Sequence, residues 1–309
     1  MMSGFLGTVI AIERAVAVKL PAAFVAPFAS ALGALAMLAG HATVGAWLSA
    51  LGALVFVGVN VVVVLRQSAS HTVLMLVGAL AWLIGNLMLA TGLGAPFTLA
   101  WWYAFLVLTI AAERLEMTRL TRRHPLAEGA LIAILLALLG GAALSPPQPL
   151  LGGVLYGSAL IVLAAWLAAF DIARHTVRAQ GLSRYMAICL LSGYAWLAVA
   201  GIAWVGMAFG CPGRDMALHA LGLGFILSMV MGHAPVILPA VARVKLLFGA
   251  WFYVPLALLH GSLLLRLFAG FSDPALRTLG AALNAVSLAV FMITVLGSAL
   301  AWKLRHRTP

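Results

Sequence analysis

Charged residues are scarce in this chain: Asp, Glu, Lys and Arg make up only 8% of its 309 residues, where a soluble domain carries roughly 25%. Hydrophobic residues fill 65% of it. No soluble fold of this length hides so much apolar side chain, because its surface must still be covered by polar groups. Cysteine is nearly absent. Cys189 lies inside an apolar run and Cys211 in a connection, so the two build no disulfide framework, and there is no C-x-x-C-H to tether a c-type haem. Also missing are the Walker glycine loop with its lysine, G-x-S-x-G and H-E-x-x-H, which removes the common soluble nucleotide-binding, hydrolase and zinc-protease chemistries.

What the chain does have is long apolar runs of about 18 to 25 residues, with Leu, Ala, Val and Gly in no alternating order, which suits helices crossing a ~30 Å hydrocarbon core. A barrel strand would alternate over about ten residues. The fold expected is therefore all-α, a polytopic transmembrane helix bundle. Eleven crossings can be placed: Met2 to Val18, Ala22 to Gly40, Val44 to Leu65, His71 to Ala90, Thr98 to Ala112, Leu126 to Leu144, Leu151 to Ile172, Arg184 to Ala208, Asp215 to Val241, Leu247 to Phe268 and Ala275 to Leu300. The connections are short and hold Pro, Gly, Arg or Ser, leaving residues 1–309 as one transmembrane helical domain with no soluble part.

Basic residues test that count, since cytoplasmic loops collect Lys and Arg. Of the eighteen, fifteen fall at the ends of odd-numbered crossings, including Lys19, Arg66, Arg114, Arg119, Arg122, Arg123, Arg174, Arg178, Arg243 and Lys245, and at the C-terminus. Only Arg214, Arg266 and Arg277 fall on the other side. The alternation predicts a cytoplasmic C-terminus and explains the net charge of +11 by orientation in the membrane, without nucleic acid. It also places the first crossing with an external start, which calls for either an N-terminus with almost no tail or a twelfth helix upstream.

Gly4-Phe5-Leu6-Gly7-Thr8-Val9 echoes Gly224-Phe225-Ile226-Leu227-Ser228-Met229 at a separation of 220 residues. That is compatible with two loosely repeated halves or with a shared local motif. His219 stands five residues before Gly224, and no residue matches it before Gly4, a further reason to expect an upstream helix.

Ionisable groups inside a membrane are costly and mark function by default. His219, His233 and His260 are the candidates, because neutral imidazole suits haem iron, copper or zinc. His219 and His233 lie roughly 21 Å apart along one helix, too far to share a small ion. His260, on the next and antiparallel crossing, differs from His219 in depth by roughly 6 Å, so the two rings are expected to approach each other or one cofactor, with Gly222, Gly224 and Gly261 leaving room beside the backbone. Each histidine has a second reading as a helix-to-helix hydrogen bond. Gly232 and Pro235 flank His233, and the proline frees a carbonyl. Adjacent Glu13 and Arg14 point to different faces and offer either proton handling or a structural ion pair. His41 and His71 are expected at the interfaces, Asn60, Asn86 and Asn284 in helix packing, and Trp101, Trp102 and Tyr103 in an aromatic belt.

His219-Ala220-Leu221-Gly222-Leu223-Gly224-Phe225, Met231-Gly232-His233-Ala234-Pro235 and Gly4-Phe5-Leu6-Gly7-Thr8-Val9 with Glu13-Arg14 together resemble the NnrS-like membrane proteins. The resemblance is carried by helix count and these short stretches. It implies a multi-pass protein of the bacterial inner membrane linked to nitric oxide stress, with haem b or copper, a small gaseous ligand and a membrane redox partner. Its His-x-x-x-x-Gly-Phe pattern falls on His219, and the N-terminal copy lacks the histidine. Alternatives from the residues are a multi-helix transporter or channel, against which the scarcity of broken-helix signals counts, and a noncatalytic membrane scaffold.

Overall fold

A computed structural model describes residues 2–118 and 126–306, so the basic stretch Arg119 to His124 lies outside the described residues. The described residues are all-helical, with no strand. Eleven rods follow the eleven apolar runs. They are α1 (Met2–Val18), α2 (Val25–Leu38) after the 3-10 turn Pro21–Phe24, α3 (Ala42–Arg66), α4 (Ser70–Ala90), α5 (Ala95–Met117), α6 (Ala127–Leu144), α7 (Pro149–Phe170), then, past the one-turn α8 (Ala173–Thr176), α9 (Gly181–Ala208). A composite rod comes next, made of α10 (Arg214–His219), a π-helix (Ala220–Leu227) and α11 (Ser228–Ala242), and the chain closes with α12 (Tyr253–Leu267) and α13 (Pro274–Arg305). Among the described residues, nine helical rods are long and apolar enough to cross a membrane. α1, at 17 residues, and α5, which carries Glu113, Arg114 and Glu116 in its last turns, complete the eleven. This is a multi-pass membrane protein.

The chain divides into two compact units, residues 1–156 and 157–309, with the boundary inside α7. In unit 1, α2 packs on α3, α3 on α4 and α4 on α5, with α1 against α2, α3 and α5. In unit 2, α9 lies against the composite rod and α12 against α13. Lipid offers no hydrophobic drive between helices, so close backbone approach at small residues has to supply the packing. Gly33 and Gly45 meet in unit 1, where a Cβ on either would fall 2.8 or 2.6 Å from the other's carbonyl oxygen. Gly157 and Gly201 do the same in unit 2, at 2.7 and 2.6 Å.

The composite rod is where the sequence-level expectation of one regular helix fails. Three contacts fix its register on α9: Gly232 against Cys189, Met229 against Gly193, and Gly224 against Trp196. Seven residues of α9 thus face eight of the rod, and the wider π turn takes up the extra one. Pro235 and Pro239 then interrupt α11. Pro235 has no N–H to give to the Met231 carbonyl four residues back. The Tyr185 hydroxyl donates to that carbonyl instead, at 3.3 Å, and Phe248, Phe252 and Tyr253 hold the tyrosine ring in place.

Candidate functional site

At the α10 end of unit 2 a charged network is assembled from α10, α12 and α13. The Arg266 guanidinium grips Asp215 with both arms, Nε to Oδ2 at 3.0 Å and Nη2 to Oδ1 at 2.7 Å. This fork-to-fork geometry is the strong form of an ion pair. His219 Nδ1 lies 2.9 Å from the Asp215 carbonyl oxygen and 3.0 Å from its Oδ1. Arg266 Nη1 reaches Asn284 Oδ1 at 3.5 Å, and Asn284 Nδ2 donates to Ser262 Oγ at 2.6 Å. Asn284 is thus a packing residue, as expected, and also braces the arginine. Asp215, Arg266, Pro212, Phe271 and Arg277 line a cleft of about 40 Å³. One water needs about 10–15 Å³ on this measure, so the cleft suits a solute of a few heavy atoms and is far below a typical cofactor pocket of ~300 Å³ or more. Arg277 is oriented by donating to the carbonyls of Gly270 and Phe271 at 2.9 and 2.8 Å.

The three intramembrane histidines differ in protonation pattern. A carbonyl oxygen only accepts, so His219 Nδ1 on Asp215 and His233 Nδ1 on Met229, at 2.7 Å, both carry the proton, and a neutral His219 ring then keeps its lone pair on Nε2. That is the form in which histidine binds a metal. His260 is the reverse. Trp196 Nε1 donates to its Nδ1 at 2.9 Å, so a neutral His260 ring carries its proton on Nε2, which is buried and has no partner. His260 fits the role of a donor, and as a ligand of haem iron or copper through Nε2 it would first have to lose that proton. Among the described residues, no three His, Cys, Asp or Glu side chains are grouped to hold a metal ion.

α10 and the π-helix both touch α12, so His219 and His260 stand on neighbouring elements, each turned to its own partner. Gly224 leaves no free room, because the Trp196 indole fills the space beside it, whereas a Cβ added at Gly261 would have nothing within 4 Å. Trp196 is the residue that sequence reasoning missed. Its indole lies edge to edge with the His260 ring, centroids 6.4 Å and planes 12° apart, in line with the hydrogen bond between them, and it meets Phe268 at 6.2 Å. His219, Leu223, Leu227, Val230 and His233 are all partly exposed while most residues between them are buried. Their spacing of three and four makes one stripe along the rod with a histidine at each end.

In unit 1, Glu13 and Arg14 on α1 interact electrostatically with Glu113 of α5. α5 runs five residues beyond the Ala112 end expected from the sequence, which brings Glu113, the buried Arg114 and Glu116 onto the helix. His71, expected at an interface, is buried, its Nε2 lying 3.9 Å from Glu116 Oε1. His41 is exposed, as expected.

Over residues 1–300 the chain matches the model of the family described as Domain of unknown function (DUF8744), and it belongs to that family. No curated protein and no solved structure matches it.

Proposed function

We propose that this chain is a membrane carrier for a small polar solute, moved along the partly exposed stripe of the composite rod in unit 2. The observation that supports this most is the rod itself. It is broken by an eight-residue π-helix and by Pro235 and Pro239, with the Asp215–Arg266 pair at one end of the stripe and His233 at the other. Helices interrupted in this way are what carriers use to handle solutes inside a membrane, and π segments gather at functional sites. The cleft is lined by Asp215, Arg266 and Arg277; Asp215 takes both arms of Arg266, so the remaining N–H groups of Arg277 are the donors that support a small carboxylate as the solute. The test is counterflow of labelled acetate in proteoliposomes. Wild-type protein is expected to exchange it, and Arg277→Gln to slow exchange about tenfold, the loss of one hydrogen bond to a charged group. Wild-type vesicles no faster than protein-free ones would overturn the carrier reading.

The positive-inside pattern supports a C-terminus in the cytoplasm, and the NnrS-like resemblance supports a bacterial inner membrane. A reporter fused after Pro309 is then expected to be active only in its cytoplasmic form. Activity of a periplasm-dependent reporter at that position would reverse the orientation.

A second reading, a haem b or copper protein with a gaseous ligand and a redox partner, draws support from the NnrS-like resemblance and from the Nε2 lone pair of a neutral His219. A bound haem would supply an iron for the gas to occupy, and His219 would offer it a single ligand. Oxidised and reduced absorption spectra that change in His219→Ala or His233→Ala would favour this reading over the carrier.

A further inference from the structure

In unit 2 the segment 243–249 joins α11 to the 3-10 turn Ala250–Phe252 and runs along the last turns of α13. Leu247 fixes it there, its N–H donating to the Ser298 carbonyl at 3.3 Å and its own carbonyl accepting from the Ser298 hydroxyl at 2.7 Å. Two residues back, the Lys245 ammonium stands 4.9 Å from the centre of the Trp302 ring, one helical turn beyond Ser298. The His306 ring meets the same indole at 4.3 Å, and its Nδ1 donates to the Trp302 carbonyl at 2.9 Å. Arg305 follows Trp302 by three residues and shares its face of the helix. Arg243 opens the segment with a left-handed backbone, φ 56°, at a cap position usually given to glycine. Arg243, Lys245, Lys303 and Arg305 are all exposed. Among the described residues of unit 2 the three acidic side chains are engaged elsewhere: Asp215 takes both arms of Arg266, Asp171 is buried and accepts from the Ala173 N–H, and Asp273 caps the far end of α13.

Each pair of cations brackets an apolar residue, Val244 in Arg243-Val244-Lys245 and Leu304 in Lys303-Leu304-Arg305, and both are exposed. A dissolved anion would use the cations and gain nothing from the valine and leucine. An amphiphile with a phosphate head uses both, and the ends of membrane-crossing helices are where it is concentrated. Trp302 fits the same depth, since tryptophan gathers at the level of the headgroups, and basic groups between helices on the cytoplasmic side recognise anionic ones. We propose that Arg243-Val244-Lys245 and Lys303-Leu304-Arg305, brought together around Trp302, bind the headgroup phosphate of an anionic phospholipid. The corner is distinct from the cleft lined by Asp215, and the proposal does not rest on the carrier reading.

A ligand that binds the folded state raises the unfolding temperature, so the purified full chain in neutral detergent is unfolded by heat at rising mole fractions of phosphatidylglycerol or phosphatidylcholine. Phosphatidylglycerol is expected to give a saturable rise. Phosphatidylcholine is expected to give none, and so is sodium phosphate at matched ionic strength. Lys245→Gln and Arg305→Gln remove exposed groups and should unfold as the wild type does without lipid. Each should raise the half-saturating mole fraction of phosphatidylglycerol about fivefold, the contribution of one cation at an anionic surface. Arg174→Gln removes the same charge from the side chain that donates to the Ala169 carbonyl and His175, and should leave that mole fraction unchanged. Three results would each overturn the site: equal effects of the two lipids, an equal weakening by Arg174→Gln, which would reduce the effect to net charge, or a rise with sodium phosphate that matches the lipid, which would make the ligand a soluble anion.

Discussion

Arg266→Ala is expected to lower the stability of the protein in detergent by about 2 kcal/mol. Breaking a fully buried pair costs about 3–5 kcal/mol, and the lower figure applies because Asp215 keeps 37% of its side chain exposed, against 16% for Arg266. The loss has two parts: Asp215 is left without its two-armed partner, and Asn284 loses the guanidinium that it braces. Arg266→Lys should recover only part of the difference, since a lysine ammonium cannot make both bonds at once. Chemical or thermal unfolding of the two variants checks this. Full recovery by lysine would mean that charge alone, without the fork, holds the end of α10.

Gly201→Ala should cost about 3 kcal/mol, the upper end for overpacking. The added methyl would fall 2.6 Å from the Gly157 carbonyl oxygen and 3.0 Å from the Ile161 backbone nitrogen. Backbone cannot turn aside as a side chain can, so α7 and α9 must separate. Gly297→Ala is the matching control: nothing lies within 4 Å of its added Cβ, and alanine is the better helix former by about 1 kcal/mol. Equal behaviour of the two variants in unfolding experiments would remove close glycine packing as what holds α7 to α9.

The contrast between the eleven rods and the site shows which physics sequence exposes. Rod positions follow from hydropathy and run length, both local quantities, and α1 ends at Val18 as expected. Hydropathy alone stops α5 at Ala112, because Glu113 and Arg114 look like interface residues, although in the fold Glu113 meets Glu13 and Arg14 on α1, which no local pattern reveals. The π winding of Ala220–Leu227 leaves no compositional mark, since its residues are as apolar as any α-helical stretch. It follows from the register against α9. The Asp215–Arg266 pair joins residues 51 apart in the chain. A signal for it is present all the same, because Arg266 and Arg277 are two of the three basic residues that break the positive-inside alternation. Such an exception calls for a partner or a site, and both arginines line the cleft. Pro235 is readable as freeing a carbonyl, whereas the capture of that carbonyl by Tyr185 is not.

The central claim, a solute path along the composite rod, is tested most directly by cysteine accessibility. Cys211 is exposed and is first replaced by serine, while Cys189 is buried. Single cysteines are then placed at Leu223, Leu227 and Val230, the partly exposed residues between His219 and His233, and treated in native membranes with a membrane-impermeant thiosulfonate. All three are expected to react, and acetate to slow the reaction at Leu223, the position nearest the cleft. If none of the three reacts with the hydrophilic reagent while all react with a lipophilic maleimide, the stripe faces lipid and the carrier account is contradicted.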